Sequence, residues 1–332
     1  MPAELNLSQN ALPSDQASRQ LMLHRYFQRQ DIKLSQVDSG WHLKTAWTHN
    51  SAYYIDERLD IGLGSWTQQA LAVKDIPMAV KQDQGFLLAL NDCWSLFSWS
   101  VLLADPDIDF KRVNLIHLDS HTDLNSPRIR LHGEDQWVDI LTGQGFSVSE
   151  PMSVVNAIKS SAIGIGSFIC PLIASGIDVN LYHLSDKSQF RYAPGEYSLA
   201  LELSKSDPIF DSAIRPSLIV GQSTSSSTYA LSDSLAELCA SIDERYPTLL
   251  HIDLDYFNNR FDGRPDWRDC LSKHDPSVEE ILDSIDIVFD ELSNQTFSIM
   301  DVSVGVSPGF FPAPLWQPAI EHLRKRVSTL WS

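Results

Sequence analysis

The chain has 332 residues, 43% of them hydrophobic and 20% charged, with a formal net charge of -18. That length supports one large α/β domain or two ordinary ones, and the composition excludes wholesale disorder. The acidic balance excludes nucleic acid as a main partner, because phosphate binding needs a basic face, and it attracts metal ions or cationic ligands.

Residues 1–15 are polar and read as a disordered tail, without the basic start and apolar stretch of a signal peptide. A helix bearing Leu21, Leu23, Tyr26 and Phe27 is expected next. Trp41, Trp47, Tyr53, Tyr54 and Trp66 then stand among alternating polar residues. Residues 16–74 thus read as a helix and an aromatic-rich extension, either a twisted edge hairpin or an arm that grips a ligand. From 75 to 332 the pattern repeats β then α. Apolar runs at 78–80, 113–118, 162–165, 179–184, 217–220, 249–254 and 297–304 read as strands. Helical patterns are expected at 86–103, 134–141, 232–246, 277–292 and 315–330. The first of these is the most hydrophobic stretch, but Asn91, Asp92 and several serines make it a core helix rather than a membrane span.

Buried runs alternating with amphipathic helices imply a mostly parallel central sheet with helices on both faces. In such α/β sheets the site lies beyond the carboxyl ends of the strands. Cys93, Cys170, Cys239 and Cys270 are widely spaced with no CxxC pair, which places the chain in a reducing, cytoplasmic compartment.

Two strand ends carry the chemistry. The run from Arg112 ends in Asp119, His121 and Asp123, and the run from Pro247 ends in Asp253 and Asp255. Side chains at alternating positions of an extended segment share one face. Acids at the end of an apolar strand are costly unless paired or coordinated, and two such strands point to a shared cation. Four carboxylates and one imidazole form a hard, oxygen-rich set. It suits manganese, as a pair or as one ion, with a single zinc or iron as the alternative. His117 and His251 precede these acids by two residues and are placed to orient them from behind, or to sit as satisfied core histidines. Ser223–Ser227 lies in no GxSxG context, and Gly164-Ile-Gly166 is no dinucleotide fingerprint.

The run Asp119-Ser-His121-Thr-Asp123-Leu-Asn125-Ser-Pro127 resembles the arginase signature DAHTDxNxP, and Leu131-His132-Gly133 resembles the LHG further on. Ile252-Asp253-Leu254-Asp255 resembles the second metal motif, SxDxD, with His251 in place of serine. Ile299-Met300-Asp301-Val302 resembles the late IMEV strand, with Asp for Glu. Together with a late SPGFFP, these motifs are similar to the arginase-deacetylase superfamily, and to its peptide arginase branch, over roughly residues 75–315.

The resemblance implies an arginase-like three-layer sandwich and hydrolysis of the guanidino group of arginine within a peptide to ornithine and urea. Asp119, His121, Asp123, Asp253 and Asp255 would hold manganese. Asp123 would also orient the attacking water, His132 would move a proton, Asp301 would hold the guanidinium and Asn125 would contact substrate. Arginases add a histidine from an earlier DH motif. The comparable place here reads Lys81-Gln82-Asp83-Gln84-Gly85, so Asp83 or Gln84 would substitute, or a single ion would serve a deacetylase-like amide hydrolase. A non-enzymatic descendant is a third reading. The expected partner is an arginine-containing peptide, with self-association left open and no membrane.

Overall fold

In the computed structural model, the described residues are 2–27, 32–46, 53–66, 71–108, 110–204, 207, 209–210, 213–221, 225–269 and 276–330. Trp47 and Cys270 therefore lie outside them. The chain opens with β1 (Pro2–Ser8), α1 (Gln16–Tyr26), β2 (Ile32–Val37), β3 (Gly40–Ala46) and α2 (Leu59–Trp66). There follow β4 (Val80–Asp83), β5 (Phe86–Ala89), α3 (Ser95–Leu103), β6 (Arg112–Leu118) and a small sheet of β7 (Ile129–His132), β8 (Gln136–Asp139) and β9 (Gly145–Phe146). Then come α4 (Pro151–Lys159), α5 (Cys170–Ala174), β10 (Asp178–Leu184), β11 (Gly195–Ser204), β12 (Arg215–Gly221) and β13 (Thr228–Ser232). The last elements are α6 (Leu235–Ala240), β14 (Thr248–Asp253), α7 (Val278–Ser293), β15 (Ile299–Gly305) and α8 (Trp316–Leu330).

The protein is α/β, built on a nine-stranded sheet in the order β12-β11-β13-β10-β6-β14-β15-β5-β4. From β13 to β5 every neighbouring pair is parallel, and antiparallel strands close both edges. The apolar runs are continuous because both faces are covered. Val113 and Leu115 enter one core with Trp99, Val154 and Leu172 of α3, α4 and α5. Ile116 and Leu118 enter the other with Leu63, Leu238, Ile285 and Leu323 of α2, α6, α7 and α8. Full burial of each such side chain contributes about 1.5–3 kcal/mol before the entropy of ordering it.

Four segments depart from the sequence expectation. Residues 2–8, expected to be disordered, pair with β3, and Leu7 packs in the first core with Leu43 of β3. The stretch 86–103 is strand β5, a corner at Asn91–Trp94 and then α3. Phe86, Leu88 and Leu90 face one core while Leu87 and Ala89 face the other, a period of two that a continuous apolar run conceals. The expected helix at 134–141 is the β7–β8 hairpin, turned at Gly133 with φ 73°. The expected strand at 162–165 is loop.

No helix among the described residues is long and apolar enough to cross a membrane.

Candidate metal centre

The site lies where β5, β6, β14 and β15 end side by side. Asp119 follows β6 directly, Asp255 lies two residues beyond Asp253 at the end of β14, and Asp92 follows β5. Asp119, His121 and Asp255 offer ligand atoms within 4.8 Å of one another, as do Asp92, Asp119 and Asp123, and also His117, Asp119 and His251. Asp119 belongs to all three groups, and their four carboxylates are buried. Asp119 Oδ2, Asp123 Oδ2 and Asp92 Oδ1 have no hydrogen-bond partner among the described residues. Buried oxygens of this kind, facing one another without donors, suit a bound cation.

The chain braces these oxygens from behind. The His121 N–H donates to Asp119 Oδ1 at 2.6 Å and the Ser120 N–H to Asp255 Oδ1 at 3.1 Å. Asp253 accepts from the Asp255 N–H at 3.0 Å and from the Ser307 hydroxyl at 2.5 Å. His121 Nδ1 stands 3.0 Å from Asp255 Oδ2, and Nε2 stands 3.3 Å from Asp262 Oδ1. Asp123 adopts φ 52°, a left-handed conformation uncommon outside glycine that turns its carboxylate back toward Asp119. Gly166 makes room for this loop: a Cβ there would stand 2.8 Å from the Asn125 amide and 3.5 Å from Asp123 Oδ1.

Beneath the acids runs a row of imidazoles. The parallel register sets His183, His117 and His251 abreast on β10, β6 and β14. His183 Nε2 lies 3.0 Å from the Asp119 carbonyl, so it donates, and Nδ1 accepts from the Tyr229 hydroxyl at 2.7 Å. His117 Nε2 donates to the His121 carbonyl at 3.2 Å, so its Nδ1 accepts from His251 Nδ1 at 2.8 Å. His251 Nε2 is then a bare acceptor without a partner among the described residues. Burial keeps all three neutral, lowering His251 to about 3 and His183 to about 4.

Electrostatics match a site shaped for cations. Burial first, then the charges of Asp123, Asp255 and Asp253, pushes Asp119 well above the usual carboxylate range. Asp92 and Asp253 are raised likewise by burial and their acidic neighbours, and Asp123 is raised by burial. Burial opposes protonation of His121, but Asp255, Asp119 and Asp262 together raise its pKa. Without a cation, this cluster holds extra protons.

A cavity of about 170 Å³ opens over the acids, lined by Asp92, His121, Asp123, Asp253 and Asp255, with Tyr53, Arg191 and Ser307 on its walls. No family model matches the chain, and no curated protein matches its sequence.

Of the residues read from sequence, Asp119, His121, Asp123 and Asp255 converge. Asp253 lines the cavity but spends its oxygens on Ser307 and the Asp255 N–H, outside all three ligand groups. His117 and His251 stand behind the acids and also form a group of candidate ligand atoms with Asp119, and Asn125 lines the cavity rim.

Four of the residues read from sequence lie away from the cavity. Asp83 is bound bidentately by Arg324 of α8, at 2.7–3.1 Å, and Gln84 occupies the β4–β5 turn at φ 37°. Neither lines the cavity, because the hairpin turns them to the opposite end of β5 from Asp92. His132 is exposed at the tip of the β7–β8 hairpin. Asp301 pairs with Leu249, four residues before Asp253, and accepts from Ser98 of α3 at 2.8 Å. Sequence reasoning missed Asp92 and His183. Asp92 does follow an apolar run, as Asp119 does, and that signal was hidden inside an apparent helix.

Proposed function

We propose that this protein is a metal-dependent hydrolase of the arginase-deacetylase type that converts arginine within a peptide to ornithine and urea. The observation that carries the proposal is the convergence of Asp92, Asp119, Asp123 and Asp255 with His121, the inner carboxylate oxygens lacking hydrogen-bond partners among the described residues, beside a cavity that all of them but Asp119 line. Asp119 shared between two groups supports two ions, one with His121 and Asp255 and one with Asp92 and Asp123. Manganese suits so oxygen-rich a set, and when bound it would acidify water and stabilise charge developing at the guanidino carbon.

The remaining work falls to side chains. The acidic floor draws in a guanidinium and its walls exclude bulk water. Asp253, held by Ser307, fixes the β14 end and so the position of Asp255. The neutral imidazole row orients Asp119 through its carbonyl without adding charge. Tyr53, whose phenol burial keeps protonated, stands on the cavity wall, which the exposed His132 does not reach.

A second reading, amide hydrolysis by one ion, is favoured by Asp301 and His132 lying away from the cavity. The test incubates manganese-loaded protein with arginine peptides and acetyl-lysine peptides, following urea colorimetrically and products by mass spectrometry. Urea and ornithine are expected. Acetate release without urea would replace this reading with the second.

A further inference from the structure

The small acidic cavity opens into a larger one of about 620 Å³, the two sharing Tyr53, Asn91, Asn125 and Ile165. The larger chamber has the opposite electrostatic character. Among the described residues, Arg25, Arg128 and Arg215 line it and no Asp or Glu does, although the chain carries a net charge of -18. Its other walls include Leu21 and Met22 of α1 and Ile163 of the 162–165 loop.

The three arginines differ in how they are satisfied. Arg215 is neutralised by buried Asp207 at 3.0 Å and donates to the Ser126 and Pro127 carbonyls, so it serves structure. Arg128 has no carboxylate partner among the described residues. It donates only to the carbonyls of Tyr26, in a short contact at 2.5 Å, and Ser161 at 3.3 Å, with its guanidinium 5.1 Å from the Tyr26 ring centroid. Two of its five N–H groups are thereby used. Burial lowers its pKa, yet an arginine stays charged in proteins. Arg25, one turn along α1, is exposed and has no acidic partner among the described residues. Buried Asp207 is the nearest negative charge acting on Arg128, but its carboxylate is already bound by Arg215 and Tyr26, so among the described residues two largely buried guanidinium groups share one acid. That arrangement is costly unless a ligand supplies a second anion.

We propose that this chamber binds a carboxylate of the substrate, held by Arg128 and Arg25, while the substrate's guanidinium enters the acidic cavity. The planar fork of arginine matches a carboxylate in two-point contact, and the apolar walls accept the carbon chain that carries it. The carboxylate comes either from an acidic residue next to the target arginine or from the arginine's own terminus. Asn125, at the shared rim, lies between the two charges. The inference takes its substrate from the proposed function, but the chamber's preference for a carboxylate is measurable apart from hydrolysis.

The experiment is calorimetric titration of the protein, metal-free and manganese-loaded, with capped dipeptides Arg-Asp and Asp-Arg, their Asn counterparts, N-acetylarginine and N-acetylargininamide. At least one carboxylate probe should bind about tenfold or more tighter than its amide counterpart, and Arg25→Gln and Arg128→Gln should each erase most of that preference. Tighter aspartyl dipeptides assign the carboxylate to a neighbouring residue, and tighter N-acetylarginine assigns it to the terminus. Arg128→Gln removes contacts to Tyr26 and Ser161, so Arg25→Gln, at an exposed position, decides the matter if the other fails to fold. Equal binding of acids and amides, or a preference that survives in Arg25→Gln, overturns the proposal. Carboxylate preference without urea release would leave this inference standing and sink the hydrolysis reading, whereas urea release with no preference would do the reverse.

Discussion

Asp119 is where the ligand groups meet, and its energetics cut both ways. Without a cation its charge is opposed by burial and by Asp123, Asp255 and Asp253. Asp119→Asn should therefore leave the metal-free protein as stable or stabilise it by about 1 kcal/mol, while manganese uptake and activity fall by at least about 10³-fold. Thermal denaturation with and without manganese checks this. Asp301 behaves differently. Burial raises it to about 6, against an ordinary value near 3.9, so the folded state binds more protons than the unfolded state between those values. The contribution is then full below about pH 4 and is lost as pH rises through about 6, by on the order of 3 kcal/mol. Asp301→Asn keeps an acceptor for Ser98 and should flatten that decline in denaturant titrations across pH, with the hydrolytic rate unchanged. A large loss of rate would return Asp301 to the site. Asp119, His121, Asp123 and Asp255 were legible because alternating acids ended two apolar strands. Asp301 shares the motif's letters, but its depth in β15 depends on register, which no local pattern states.

Among elements, the contact of α2 with α8 shows what the sequence could not. Gly62 lies against the Trp316 ring, so that a Cβ there would stand 2.4 Å from it. Gly62→Ala should cost about 1–3 kcal/mol through overpacking, seen as a lower unfolding midpoint with an unchanged metal stoichiometry. An exposed helix position would instead gain from the same change. Strands β6, β10, β12, β14 and β15 were legible as apolar runs and the long amphipathic helix α7 from its periodicity, and α7 begins with a capping box of Ser277 and Glu280. β5 and α3 fused into one apparent helix because a strand buried on both faces loses its alternation. β1 was passed over because its partner β3 lies more than thirty residues away.

The whole molecule joins its N-terminal segment to the main sheet at the larger cavity. Tyr26 of α1 donates to Asp207 at 2.9 Å, and Arg128 donates to the Tyr26 carbonyl. Tyr26→Phe leaves Asp207 with Arg215 and should cost about 1 kcal/mol, while weakening peptide binding more than metal binding. Manganese, by binding the folded chain alone, should raise stability by about 2.7 kcal/mol at a hundredfold excess over its dissociation constant. The most direct measurement is elemental analysis of the protein after manganese loading and removal of unbound metal. Two ions per chain, lost in Asp119→Asn, are predicted. A chain that retains no divalent ion, or a variant that retains as much as the natural protein, would contradict the account.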